Sequence, residues 1–597
     1  MSTDEMKYAE VMVGWLREMG YTHCFLVSGG NAMHLLDAVR SQMTCIPVVH
    51  EVSAGIAVEY FNEVSDVGKA FAIVTAGPGL TNIVTALAGA FLESRELLLL
   101  GGQVKTTDLA DPGMRQRGIQ EIAGRDIAEP VCVAAVQLTA PISRQEFMEI
   151  VERGYRDRPG PVFVEVCLDV QGAPVNPADL NHPKGSADDF LPRSSYRLEP
   201  SVAAAVIDAQ MAKAKRPAWL IGGGVSRDAA RAVLPELRRR GVPVLTTWNG
   251  IDRVPADEPM FFGRPNTWGQ RSANLIMQQT DQLIVFGSRL GLQQTGFNWQ
   301  EFAPVAEVTQ VEIDEVELTK GHPHVEHPLL ADANAVLPLA CNGPVGDISE
   351  WVAFCRRVTE LLPLDDPENE TGEGFIAPYQ FVLALSDLCT SDDVVIPCSS
   401  GGANTVMQQA FLPKAGQSVL NSKGLASMGY GLGAALGAAC AHRDRRTVLV
   451  EGDGGFAQNL QDLATVAVND LNMKIFIFAN DGYASIRTTQ RNYFDGAYLG
   501  CDERSGLGMP DWPTLFHAFG IPAIRLPLAW DDDPEFLEAW NATGPFAFVV
   551  PIDPEQTYYP KISSRVRPDG GMESNPLHMM SPDLPEDVAA EVMRYLL

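Results

Sequence analysis

Short, continuous apolar runs alternate with amphipathic segments along most of the chain. Residues 23–27 (HCFLV), 70–75 (AFAIVT), 97–103 (LLLLGGQ) and 161–166 (PVFVEV) read as strands buried on both faces. Between them, residues 9–20, 31–42, 52–61 and 82–94 carry apolar positions at helical spacing. CIPVVHE (45–51) reads as a further strand running up to Glu51. The same alternation returns in 217–314 (PAWLIGGG, VPVLTTWNG, QLIVFGSRLG, VTQVEID) and in 393–480 (DVVIPCSSGG, RTVLVEGDGGF, MKIFIFAN). Strand–helix alternation of this kind predicts α/β domains with doubly wound parallel sheets. Three are expected, over 1–182, 201–345 and 373–550. The polar, proline-bearing stretches 183–200 and 346–372 read as linkers, and 551–597 as a tail with a short terminal helix. FAQNLQDLATVAVNDL, residues 456–471, is expected to form one helix between two strands.

Composition narrows the class. At 597 residues with 46% apolar and 20% charged side chains, the chain can build large cores. A net charge of −30 argues against nucleic acid or an anionic membrane as partner. The ten cysteines form no CxxC pair, so reduced thiols are expected rather than a disulfide or zinc framework. The N-terminus lacks a basic region followed by an apolar one, which points to a cytoplasmic protein. Residues 70–101 are the longest apolar region, but Pro78, Asn82, Glu93, Arg95 and Glu96 interrupt it, so it is not a membrane span.

The candidate chemistry gathers at strand ends. RTVLVEGDGGF stops at Gly452-Asp453-Gly454, and MKIFIFAN stops at Asn480, 27 positions after Asp453. In an open parallel sheet, ligands sit at the carboxyl ends of the strands. A carboxylate, an amide oxygen and a freed backbone carbonyl form a hard-oxygen set suited to Mg²⁺, and glycines let a backbone approach a diphosphate. GDG alone is an ordinary turn; the buried strand before it and the asparagine ending the next strand give it weight. Ser400-Gly401-Gly402-Ala403, between a strand and a helix, is a candidate anion cradle. Glu51 could cap the helix that follows it or act on a ligand. Gly222-Gly223-Gly224 lacks a clean GxGxxG and is a weak nucleotide signal. His322, His324 and His327 cluster in HPHVEH, but flanking prolines and the lack of a fourth ligand favour a surface loop over zinc.

Several stretches together resemble the acetolactate-synthase branch of the thiamine-diphosphate enzymes. They are SGGNAMHLLDAV, VVHEVSAGIA, TAGPGLTN, GGQV, RPGPVFVEV, the GDG…N pair, GLASMGYGLGAALGA and SNPLHMMSP. The resemblance covers essentially the whole chain and implies pyrimidine, middle and diphosphate domains in that order. It implies that Asp453, the Asn480 side chain and the Gly482 carbonyl hold Mg²⁺, and that Glu51 activates the cofactor through its pyrimidine. Gly30, Pro78, Asn82, Ser400, Gly401, Gly402, Ala426, Gly452, Gly454, Gly455 and Tyr483 would line the cofactor, with Met428 propping its bent form. FAD is implied as a further cofactor of the branch, with Gly222, Gly223, Gly224, Arg289 and Asp332 at the looser matching positions. The site would be shared between subunits of a homodimer or homotetramer. A pyruvate-like 2-oxoacid would be the donor and a carbonyl compound the acceptor. The chain departs from the branch where the acceptor sits. Ser485, Ile486 and Thr489 replace Met, Val and Trp, Ser28 and Asn31 flank the first glycine turn, and Gln120 lies in Ile-Gln-Glu. A wider, more polar pocket is expected, suited to a larger acceptor such as a keto sugar. Relatives that hydrolyse cyclic diones are a more distant alternative, since Ser28, Asn31 and Ala76 stand where their pattern differs.

Overall fold

The computed structural model describes residues 5–181, 197–398 and 400–596. The linker expected over 183–200 lies mostly outside the described residues. Three parallel sheets are present. The first contains β1 (Tyr21–Leu26), β2 (Thr44–Pro47), β3 (Lys69–Val74), β4 (Leu97–Gln103), β5 (Ala134–Leu138) and β6 (Pro161–Cys167), in the order β2-β1-β3-β4-β6-β5. The middle sheet contains β7 (Pro217–Ile221), β8 (Val244–Thr246), β9 (Gln282–Phe286), β10 (Glu307–Glu312) and β11 (His327–Leu330), in the order β8-β7-β9-β10-β11. The third contains β12 (Val394–Pro397), β13 (Ser418–Val419), β14 (Thr447–Gly452), β15 (Met473–Ala479), β16 (Ala523–Arg525) and β17 (Phe546–Pro551), in the order β13-β12-β14-β15-β17-β16. In each, the chain leaves the first strand to one side and returns on the other. That reversal opens a crevice at the carboxyl ends of β1 and β3, β7 and β9, and β12 and β14.

The helices that shape the sites are α1 (Glu51–Val64), α2 (Pro78–Glu93), α3 (Ala333–Ala340), α4 (Gly401–Ala410), α5 (Tyr430–Ala441), α6 (Asp453–Phe456), α7 (Leu463–Val468), α8 (Ala484–Tyr493) and α9 (Glu586–Val592). α2 starts at Pro78, earlier than the apolar spacing from Asn82 indicates, because proline at its first position has a preset φ and needs no amide partner. The strand expected over 45–51 ends at Pro47, and Glu51 is the first residue of α1. His50 Nδ1 accepts the Val52 amide at 3.2 Å. The single helix expected over 456–471 is broken between α6 and α7. There the side chains of Asn459 and Asp462 serve tertiary bonds to Gly429 and Val49.

The first and third domains share one core. α1 and α5 cross with their backbones nearly touching: a Cβ on Gly437 would lie 2.1 Å from the Ala57 carbonyl oxygen. A buried ion pair, Arg95 to Glu59 at 2.8 Å, is joined by the Tyr430 hydroxyl at 2.5 Å from Glu59. Residues 562–596 pack along the middle domain. The Ile562 amide bonds the Thr267 carbonyl at 2.9 Å, and Leu577 and Val592 join the middle-domain core. The stretch 362–372 is pinned as well, by Arg271 to Asp366 at 3.1 Å and by Asn369 to Tyr559. The histidine stretch runs into β11, His324 is exposed beside Glu326, and no group of three His, Cys, Asp or Glu side chains is placed to hold a metal among the described residues. No helix among them is long and apolar enough to cross a membrane.

Candidate active site

In the third domain, β14 delivers Asp453 into the crevice, where it is almost fully buried. Its carboxylate accepts the amides of Gly454 at 2.7 Å, Asn480 at 2.9 Å and Gly482 at 3.2 Å. Burial pushes its pKa up to about 7, against the pull of those three amides. The Asn480 side-chain amide lies 3.2 Å from Asp453 Oδ1 and 3.1 Å from the Gly482 carbonyl oxygen and, with its nitrogen inward, donates to both. The alternative orientation would set the Asn480 oxygen beside the Asp453 and Gly482 oxygens. Adjacent ligands of an octahedral Mg²⁺ lie about 3.0 Å apart. The oxygen-inward orientation therefore fits a hard cation, and the nitrogen-inward one fits the cation-free protein. Two of the three donors are amide and peptide oxygens, so the set differs from a cluster of ionisable side chains.

Around this triad the cradle is made of backbone. Ser400 precedes α4 and makes no side-chain capping bond. Gly401 and Gly452 have open space where a Cβ would be, while a Cβ on Gly454 would meet the Tyr483 ring at 2.4 Å. Gly455 sits over Glu451, whose carboxyl burial pushes up to about 8. Gln458 bridges the Tyr483 hydroxyl at 3.2 Å and the Met428 sulfur at 3.4 Å, linking the loop that contains Met428 and Ala426 to the turn after β15.

In the first domain, Glu51 is 9% exposed and accepts the Asn82 side-chain amide at 2.9 Å. Gly77 has φ 66°, and a Cβ there would lie 2.4 Å from the Gln120 carbonyl oxygen, so only glycine lets the 118–122 loop close on the start of α2. Buried Glu165 braces that loop. It accepts Gln103 at 2.9 Å and Gln137 at 2.6 Å, and Gln103 also bonds the Ile122 carbonyl. Ser28, Gly30, Pro78, Asn82 and Gln120 are exposed on the crevice face, and Asn31 is half-buried with its amide 3.4 Å from the Ile119 carbonyl. The link to the third domain runs through Asp462, which accepts the Val49 amide at 2.7 Å, and Asn459, 3.4 Å from Ser53.

Ser485, Ile486 and Thr489 lie together on the exposed face of α8. The opposite face contributes a residue that the sequence did not flag. Arg487 is buried and donates to the Asn480 and Pro554 carbonyls, both at 2.9 Å, which fixes the Asn480 backbone. No local pattern announces it.

A cavity of about 920 Å³ lies where the three domains meet. Gly223, Gly224, Arg289 and Asp332 line it, with Arg158, Arg227 and Lys423. Gly222 does not line it, and a Cβ there would strike the Gly287 carbonyl oxygen at 2.2 Å. Asp332 also caps α3 through the Asn334 amide at 2.9 Å. The volume is at the upper end for cofactor sites.

Three family descriptions match in the order of the three sheets. Residues 6–128 match the thiamine pyrophosphate enzyme N-terminal TPP binding domain, 205–339 the central domain and 399–550 the C-terminal TPP binding domain. The acetolactate synthase large subunit of Corynebacterium glutamicum is 30% identical over 536 residues, covering 88% of this chain and 83% of that protein. The chain belongs to the thiamine pyrophosphate enzymes. Its likeness to acetolactate synthases is broad. The probable large subunit of Methanocaldococcus jannaschii is 30% identical over 565 residues, covering 92% of this chain and 93% of that protein. Isozyme 1 of Escherichia coli is 29% identical over 569 residues, covering 93% and 95%. As a thiamine pyrophosphate enzyme similar to acetolactate synthases, the protein has its candidate carboxylate and its candidate metal triad on two domains of matching topology.

Proposed function

We propose that this enzyme is a Mg²⁺-dependent carboligase that decarboxylates a pyruvate-like 2-oxoacid and transfers the acyl unit to a carbonyl acceptor larger than a second pyruvate. When bound, thiamine diphosphate supplies the electron sink for both steps. Asp453, Asn480 and the Gly482 carbonyl hold the cation, and the glycines at 401–402 and 452–455 admit the diphosphate. Glu51, oriented by Asn82, exchanges a proton with the ring nitrogen of a bound aminopyrimidine. Pro78 and Gly30 shape the wall beside it, and Met428 supports the cofactor from the third domain. Ser28, Gly30, Pro78, Asn82 and Gln120, on the first domain with the buried Glu51, are exposed in the single chain, which supports completion of the site by a second copy in a homodimer or homotetramer. The exposed Ser485, Ile486 and Thr489 face supports a wide acceptor pocket, with Asn31, Ser28 and Gln120 as polar contacts. The junction cavity is the place for FAD, held by Gly223, Gly224, Arg289 and Asp332, with Gly222 in backbone packing.

The observation that carries this function is the Asn480 side-chain amide lying 3.2 Å from Asp453 Oδ1 and 3.1 Å from the Gly482 carbonyl oxygen beside the glycine cradle. The test is product analysis by mass spectrometry with thiamine diphosphate, Mg²⁺, pyruvate and a panel of aldehydes, ketones and keto sugars. CO₂ release with adducts of a larger acceptor is expected. Acetolactate formed from pyruvate alone at an ordinary enzyme rate, with keto sugars inert, would refute the wide pocket. No turnover of any 2-oxoacid would refute the carboligase.

A further inference from the structure

The cavity where the domains meet has walls of two origins. Gly223, Gly224, Arg289 and Asp332 belong to the middle domain, whereas Lys423, Gly424 and Ala426 belong to the third-domain loop that leads to Met428. Ala426 has φ 53°, a left-handed backbone that strains any residue with a Cβ. The turn before it is fixed from the first domain. Glu93, the last residue of α2, accepts the Lys423 amide at 2.5 Å and also the Gly424 amide, and its second oxygen accepts the Asn249 side chain at 2.5 Å. That carboxylate is thus occupied by neutral donors. The Lys423 side chain runs toward α4, where its ammonium donates to Asn404 Oδ1 at 3.3 Å and lies 5.0 Å from the centre of the Trp248 ring.

The other cations of the cavity have counter-ions. Arg158 meets Asp314 at 2.5 Å, Arg227 meets Asp252 at 2.7 Å, Arg253 meets Asp252 as well, and Arg289 lies 4.0 Å from Glu317. Lys423 forms no ion pair and makes one side-chain hydrogen bond among the described residues. An ammonium has three protons to donate. The residue is half-buried, so its charge is partly desolvated and still within reach of the cavity. Burial pushes its pKa down, a penalty that an anion beside it would offset. With a net charge of −30 the chain repels anions at long range, and an anionic ligand needs a local cation of this kind.

The reaction decides which reactant that anion belongs to. The donor's carboxylate leaves as CO₂. A cation held against it would stabilise the reactant more than the transition state and slow the step. The acceptor is the reactant that keeps its charge throughout.

We propose that Lys423 is a specificity-determining residue whose ammonium binds an anionic group, a carboxylate or a phosphate ester, on the carbonyl acceptor. The inference deepens the carboligase reading above and rests on it.

The test pairs the wild type with Lys423→Met, which keeps the stem and drops the charge, and Lys423→Arg, which keeps the charge. Each holoenzyme is assayed with saturating pyruvate against dihydroxyacetone, dihydroxyacetone phosphate and 2-oxobutanoate. The wild type should favour one of the two anions over dihydroxyacetone by tenfold or more in kcat/KM, and the anion favoured tells phosphate from carboxylate. K423M should raise the KM for that anion by roughly ten- to hundredfold, the range for a hydrogen bond to a charged group, and change the KM for dihydroxyacetone by less than about threefold. K423R should keep most of the preference. A wild type that uses neutral and anionic acceptors equally well would overturn the Lys423 assignment and leave the carboligase standing. Equal losses for neutral and anionic acceptors in K423M would assign Lys423 to packing and overturn it too. Less bound flavin in K423M than in the wild type, read by visible absorbance, would assign Lys423 to the flavin and overturn the acceptor role. A wild type that turns over no 2-oxoacid would overturn the carboligase reading, and this inference with it.

Discussion

The first and third domains are wound in the same strand order, and their first strands end in the same tripeptide, Ser28-Gly29-Gly30 and Ser400-Gly401-Gly402. They nevertheless present opposite chemistry at equivalent places. After the second strand the first domain starts a helix on Glu51, while the third runs through a ten-residue loop past Met428 before its helix starts at Tyr430. After the third strand the first domain has Gly77-Pro78, a turn with no charge, and the third has Asp453, buried among amides. In the proposed function, one crevice offers a carboxylate for proton exchange, and the other offers a cradle for an anion with its cation. The winding gives both domains the same crevice, and one or two residues at each strand end decide what it can hold.

That division of labour can be broken one side at a time. Glu51→Gln should lower turnover by roughly 10²- to 10⁴-fold, the scale of general acid–base catalysis, while leaving thiamine diphosphate affinity within a few-fold. Turnover equal to wild type would remove Glu51 from the chemistry. Asp453→Asn should do the reverse, weakening Mg²⁺-dependent cofactor binding on the order of a hundredfold in calorimetry. Cofactor affinity unchanged in that variant would place the cation elsewhere.

A smaller effect tests whether the two domains act as one body. Gly437→Ala, at the crossing of α1 and α5, should destabilise the protein by about 1–3 kcal/mol, seen as a lower Tm, because the added methyl meets backbone rather than a movable side chain. An unchanged Tm would mean that the crossing is loose.

The smallest effect concerns pH and the carboxyls that burial raises: Glu165 and Asp453 to about 7, Glu451 to about 8. Their folded pKa values lie above the ordinary carboxylate range. The folded state therefore binds more protons than the unfolded one between about pH 4 and 8. The stability they contribute is complete below about pH 4 and is lost as pH rises through 7 to 8. The ligand-free Tm should fall by roughly 5 °C between pH 5.5 and 8.5, and Mg²⁺ with thiamine diphosphate should flatten that fall by holding Asp453 ionised. A ligand-free Tm that rises over this range would reverse the sign for these groups.

Much of the architecture was legible in the chain because buried parallel strands must be apolar on both faces and must end in turns. The runs at 70–75, 97–103, 446–452 and 473–479 are strands in the structure for that reason. Local spacing failed where tertiary bonds outweigh helix periodicity. Residues 456–471 have helical spacing, yet Asn459 and Asp462 spend their side chains on Gly429 and Val49, and the helix breaks. Arg487 and Tyr558 were silent in the sequence. Their partners lie on other elements: Arg487 meets the carbonyls of Asn480 and Pro554, and Tyr558 meets Gly402.

By itself, the sequence determined the three-domain α/β plan and the kinship to thiamine pyrophosphate enzymes, and it singled out Glu51, Asp453 and Asn480 as candidates, since these depend on residue type, order and spacing along one strand or turn. Only the tertiary structure decided how close Asn480 comes to Asp453, that the third domain's Asp462 bonds the strand end beside Glu51, that three domains enclose a cavity, and that the last segment packs against α4. Those features join residues hundreds of positions apart, and the distance between such residues is set by packing of whole domains, which no local pattern encodes.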